Sequence, residues 1–168
     1  MPEEGFLLQS KYMIEIDTNP ENGTESYAKI AKGITSVEPD PNEELAQDTY
    51  LDGDGFGETD VTGAQLIVSF DGHRYYGDPA QDYIYSKQMG LGPERRTNFR
   101  MTLPDGSEFE GPCTIANIAG PGGEAGNKGE ISFEIHFAGK PEYTPATEAG
   151  TSDVTTTGAK TKTEDEKK

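Results

Sequence analysis

The sequence predicts a mainly β domain: an antiparallel β-sandwich or barrel-like sheet with one flanking α-helix, a long inter-strand loop and a disordered C-terminal tail. Three observations lead there. Apolar and polar residues alternate over several short runs, the pattern of strands that bury one face and wet the other. The aromatic residues are eight Tyr and seven Phe with no Trp, a set that favours sheets over a helical bundle. The 21 Gly and 11 Pro supply turns at short intervals.

The first strand is expected in KYMIEID, where Tyr12, Ile14 and Ile16 share one face and Lys11, Glu15 and Asp17 the other. A further strand is expected across Tyr27 to Val37. Residues 38–62 carry nine acidic side chains and no Lys or Arg. They form either an extended loop or a long hairpin with DGDGFG near its tip. A loop of this length in a small domain is functional or disordered. Its charge repels it from an acidic body, so it is expected to reach a neighbouring subunit.

In GAQLIVSF, Leu66, Val68 and Phe70 share a face, and Asp71-Gly72 follow as a turn. One helix is expected over 78–89. Asp78 suits the N-cap, Pro79 the first turn and Gln81 the capping-box position, with Gly90 beyond its end. Ala80, Tyr83 and Ile84 give it a short apolar face. A lone helix in such a domain must lie against the sandwich or plug one end.

In NFRMTL, Phe99, Met101 and Leu103 oppose Asn98, Arg100 and Thr102, and Pro104-Asp105-Gly106-Ser107 reads as a tight hairpin. A strand across Phe109 to Ile118 follows, then a flexible glycine loop, Ala119 to Gly129. In ISFEIHF, Ile131, Phe133, Ile135 and Phe137 oppose Ser132, Glu134 and His136. The fold is thus expected in residues 1–138. Residues 139–168 offer almost nothing to bury and read as a flexible tail.

The chain carries 31 acidic and 14 basic residues, a net charge of -17. Of these, 25 acidic and nine basic residues lie in 1–138, so the excess belongs to the folded part. That argues against direct nucleic-acid binding, which needs Lys and Arg to displace counterions, and against docking on anionic lipid. The acid either serves solubility or faces nucleic acid without holding it. Cys113 is the only cysteine, so no internal disulfide forms. The first 13 residues lack the basic start and apolar run of a signal peptide. No stretch approaches the roughly 20 apolar residues of a membrane span. A soluble protein made in a cytoplasm is expected.

Catalytic constellations are thin. His73 and His136 are far apart, and Cys113 reads as a structural thiol. Asp52, Asp54 and Gly57 match the first, third and sixth positions of a calcium loop, but Phe56 and Gly63 stand where ligands are needed at the fifth and twelfth. Gly120-Pro121-Gly122-Gly123-Glu124-Ala125 matches a dinucleotide fingerprint in form, yet more glycine and a strand follow it, not a helix. Asn22-Gly23-Thr24 fits a glycosylation sequon and reads as a turn. No catalytic residue, metal site or cofactor is expected.

Three segments carry a resemblance: KGITSVEPDPNEELAQDTYLDGDGFGETDVTG, DVTGAQLIVSFDGHRYYGDPAQDYI and RTNFRMTLPDG. Over residues 10–138 the chain resembles the tail tube (major tail) proteins of long-tailed phages of Gram-positive hosts. GHRYYGDPAQDYI is the most specific part. The resemblance implies a β-sandwich with a flanking helix whose subunits form six-membered rings, stacked into a tube for DNA ejection. It places the protein in a virion tail, made in the bacterial host cytoplasm and free of membrane. Its partners would be further copies of itself and tape-measure, tail terminator and baseplate proteins. DNA would pass through the lumen without specific binding. The long loop would contact neighbouring subunits or rings, which falls here on Glu43, Glu44, Asp48, Tyr50, Asp52, Asp54, Phe56 and Glu58. Arg74, Arg95 and Arg96 are expected to pair with acids of adjacent subunits. Tubes of contractile phage-like particles and secretion systems share related folds. The rival reading is an acidic β-sandwich that binds a ligand, with calcium at Asp52 and Asp54.

Overall fold

The computed structural model describes residues 5–146. They form ten strands: β1 (Met13–Asp17), β2 (Tyr27–Lys29), β3 (Ile34–Asp40), β4 (Glu44–Thr49), β5 (Gly57–Gly63), β6 (Ile67–His73), β7 (Arg96–Thr102), β8 (Glu108–Gly122), β9 (Glu130–Phe137) and β10 (Glu142–Thr144). One α-helix, α1 (Pro79–Ser86), lies between β6 and β7.

Eight strands make one antiparallel sheet in the order β2-β1-β7-β8-β9-β6-β3, with β10 paired to the first residues of β8. β2 and β3 are its two edges, yet only residues 30–33 join them. Five Cα steps span roughly 17 Å at full stretch, so the sheet must curl until its edges nearly meet. Close packing secures that crossing. A Cβ on Gly72 of β6 would run into the Gly33 carbonyl oxygen and Ile34 Cα, and the His73 N–H donates to Gly33 O (2.7 Å).

The curled sheet is sandwich-like, with side chains from its two halves meeting inside. Phe99 of β7 meets Phe70 of β6 edge-on (6.2 Å between centroids) and Phe137 of β9 (5.5 Å), while Phe70 stacks on its sheet neighbour Phe133 (4.8 Å). The alternation read from sequence marks this core. Ile14, Ile16, Val68, Phe70, Phe99, Met101, Ile131, Phe133, Ile135 and Phe137 are all buried, with Tyr12, Leu66 and Leu103 packed at its margin.

The helix plugs one end of the curled sheet. Asp78 caps it by accepting from the Gln81 N–H (3.0 Å). The Gln81 side chain does not complete the reciprocal box. It is buried and donates to Lys32 O (2.5 Å) while accepting from the Tyr75 N–H (2.9 Å), tying the helix to the β2–β3 crossing and to the end of β6. Tyr85 Oη donates to Ala119 O (2.6 Å), and Gln88 Nε2 to Gly120 O (3.1 Å). These bonds cover part of the β8 edge. The helix stops at Ser86, three residues before the expected end, and Lys87 to Gly90 continue as a turn.

Other boundaries also differ from the sequence reading. The strand expected across Tyr27 to Val37 is two strands on opposite sheet edges. Asp71 and Gly72 lie inside β6, where Gly72 allows the close approach just described. β8 runs on through Gly122, so the glycine loop shortens to residues 123–129. Asn117 adopts positive φ (47°) where the β8–β9 register shifts, as at a β-bulge. The fold also passes the expected boundary at 138, because β10 pairs with β8 and Tyr143 packs on Phe109 (5.0 Å). The rest of the expected tail, 147–168, lies outside the described residues.

Candidate functional site

Residues 38–62 resolve into the hairpin alternative. β3 ends at Asp40, and β4 and β5 pair only with each other, as a separate two-stranded sheet. This arm leaves the domain between β3 and β6, at the end opposite α1. Six residues of strand reach about 20 Å. Nothing among the described residues buries it: Leu45 and its cross-strand partner Val61 are more than half exposed, and Tyr50, Leu51 and Phe56 stand out at the tip.

A two-stranded ribbon of this kind is marginal alone in water, and its charges make it worse. Asp48 lies directly opposite Glu58, with no Lys or Arg anywhere from Gly33 to His73. Like charges opposite each other in a ladder destabilise it. Glu43 and Glu44 lie at the arm's base, and Asp52 and Asp54 in the turn at its tip. The arm thus exposes apolar and acidic groups that find no complement among the described residues.

The three arginines divide. Arg74 is spent inside its own subunit: Nη2 meets Asp82 Oδ1 at 2.6 Å, the guanidinium lies over the Tyr76 and Tyr85 rings, and the side chain is only 8% exposed. Arg95 donates to the Gln88 and Gly90 carbonyls (2.6 and 2.8 Å), closing the turn after α1. Arg96, at the start of β7, is exposed and makes no ion pair among the described residues. It alone of the three has no partner for its guanidinium among the described residues.

A second surface emerges from the strand register. The outward residues of β3, β6 and β9 fall into rows: Glu38, Ser69 and Glu134; Ser36, Asp71 and Ser132; Asp40, Ile67 and His136. With Glu130 this face holds five carboxylates, no Lys or Arg, and mostly short side chains. His136 Nε2 lies 2.7 Å from Glu134 Oε2, and that bond holds the Glu134 carboxyl below its ordinary pKa. The other outward face differs. There Arg100 binds Glu15 (2.7 Å) and lies over the Tyr27 ring (4.1 Å), with Glu108 at 3.9 Å. Its charges are compensated within the subunit. The acidic face was open to sequence reasoning, since each of these strands has a polar alternate, but only the register shows that the polar alternates of β3, β6 and β9 join.

The single cysteine takes no part in these surfaces. Cys113 is 1% exposed, with Thr97 and Phe137 as its strand partners, and burial pushes its thiol up to about 12. Thiolate is the reactive form, so Cys113 should resist maleimide at pH 8 in native protein and react fully in denaturant. Labelling of native protein at the rate of a free thiol would show the site is open. Among the described residues no group of three or more His, Cys, Asp or Glu could hold a metal ion, and no helix is long and apolar enough to cross a membrane.

No family model and no curated protein matches the sequence. Solved structures do match in fold. A chain from the tail of an empty gene transfer agent particle with C6 symmetry aligns with a TM-score of 0.66 at 19% identity, over 83% of this chain and 100% of that one. A chain from the virion of the native gene transfer agent aligns with a TM-score of 0.66 at 18% identity, with the same coverage of both chains. The tube-terminating cap of the anti-feeding prophage aligns with a TM-score of 0.54 at 11% identity, over 87% of this chain and 95% of that one. The described domain therefore shares the fold of these phage-like tail and cap chains.

Proposed function

We propose that this chain is the repeating subunit of a phage-like tail tube, a structural protein without enzymatic activity that works only when assembled. The observation that carries the reading is the acidic face of β3, β6 and β9, with mostly short side chains and no Lys or Arg. A conduit for DNA must repel phosphate so that the polymer slides, and this face suits the wall of the bore. The outlying arm supports the same reading, because its exposed apolar and acidic groups find no complement among the described residues. The fold likeness to gene transfer agent tails adds support, and the C6 symmetry of one of them favours six subunits per ring.

In this reading the protein resides in a virion tail, of a long-tailed phage of a Gram-positive host. It is made in the host cytoplasm and meets tape-measure, terminator and baseplate proteins. Contacts are heterologous: in-plane rotations close into rings, and the axial contact repeats into a stack. The likeness to the anti-feeding prophage cap favours a second reading, a tube of a contractile phage-like particle.

Negative-stain electron microscopy of the concentrated protein should show stacked rings with an open bore; a strict monomer under all assembly conditions would sink the tube. The wall assignment has its own test. Ser69 lies between Glu38 and Glu134 on the acidic face. A Ser69→Cys variant should react with a small maleimide both as monomer and in tubes. A polymer-linked maleimide, too bulky for the bore, should label only the monomer. Equal labelling of tubes by the bulky reagent would put this face outside, and protection from both reagents would make it an interface.

A further inference from the structure

We infer that the arm of one copy seats its tip in the depression beside the C-terminal end of α1 on the next copy. This rests on the tube reading above and adds to it the surface that receives the arm. The depression has a volume of about 230 Å³ and lies where the β1–β2 connection, the end of α1 and the start of β7 converge. That is below the roughly 300–1,000 Å³ of small-molecule sites, and suits a protruding side chain.

The two surfaces match in chemistry. The tip offers one aromatic ring, Phe56, 79% exposed, with Asp54 and Glu58 on either side of it in the chain. The depression offers Pro20, Tyr83 and Pro93 as apolar wall and Lys87 and Arg96 as cations. Lys87 Nζ lies over the Tyr83 ring (5.3 Å), and neither cation has an acidic partner among the described residues. Glu21 and Glu94 also border the depression, but the Glu94 carboxylate is turned toward the Leu91 N–H (3.3 Å).

Position points the same way. The arm leaves one end of the domain and the depression lies at the other. Six of the nine Lys and Arg of residues 1–138 (Lys32, Arg74, Lys87, Arg95, Arg96 and Lys128) fall at the helix-plugged end, while the arm is wholly without them. Copies aligned head to tail bring acid to base at each junction. That relieves the Asp48–Glu58 repulsion and covers Phe56 in a single contact.

The test is a covalent trap that leaves Phe56, Lys87 and Arg96 in place. Leu51→Cys puts a thiol on the tip and Glu21→Cys one on the rim, while native Cys113 is buried and silent. Tubes of the double variant, mildly oxidised, should yield a ladder of multimers in non-reducing electrophoresis, and each single variant no more than dimers. Separately, Lys87→Glu with Arg96→Glu should cut tube yield by more than about tenfold, and Asp54→Lys with Glu58→Lys should restore it. Tubes that form normally but give no ladder, or that ignore the charge reversal, overturn this receiving site and leave the tube standing. If the unaltered protein makes no tubes, both fall together.

Discussion

Replacing Asp48–Glu58 by an Asn-Gly turn leaves a folded, monomeric protein that no longer forms tubes. The design follows from the register. Gln47 and Thr59 are directly opposed in the β4–β5 ladder, and Asn-Gly closes a two-residue hairpin between opposed residues with the twist that strands prefer. The deletion removes Tyr50, Leu51 and Phe56, all exposed, and touches no residue of the buried core. Thermal unfolding should therefore change little, or rise, because the Asp48–Glu58 repulsion goes with it. Assembly should fall below detection by sedimentation and negative stain, since among the described residues the arm contributes nothing to the buried core. Unimpaired tubes would show that the arm does not join subunits.

Sequence and structure agreed most closely where burial is one-sided. The four strands read from alternation, around Ile14, Val68, Phe99 and Phe133, each set a core face against a wet face, and that contrast is written into the residues. The arm could not be read so firmly. Its apolar residues, Leu45 and Val61, are few and no described residue covers them, so no alternation marks β4 or β5 and loop and hairpin look alike. The end of β8 is not legible from sequence because a glycine-rich run normally means a loop; here Tyr85 of α1 and Gln88 of the turn after it donate to its carbonyls. Arg74, expected from sequence to pair with acids of adjacent subunits, has a partner within its own subunit. Its partner Asp82 is eight residues on, across the helix N-terminus, and the Tyr76 and Tyr85 rings around it were the available clue. The acidic face depends on which strands lie side by side, and one sequence does not reveal that order.

Phe99→Ala should destabilise the monomer by about 3–5 kcal/mol, the usual cost of emptying a well-packed aromatic site. Phe99 is 0% exposed and stands between the halves of the curled sheet, edge-on to both Phe70 and Phe137. Each such aromatic contact contributes about 0.5–1.5 kcal/mol beyond buried area. A domain of ordinary stability has only about 5–15 kcal/mol in all, so the loss removes a large share and should lower the melting temperature by on the order of 10 °C. Phe56→Ala is the matched control: the same atoms leave, but from a ring that the monomer exposes. Its monomer stability should change by no more than the roughly 0.5 kcal/mol of a surface change, while its tubes fail. Phe99→Ala should show the reverse. Its monomer melts early, yet tubes that form below the transition gain stability, because assembly binds only the folded state. If both variants lost stability equally, Phe56 would belong to the core of its own subunit; if neither lost tubes, the arm would not be the joint between subunits.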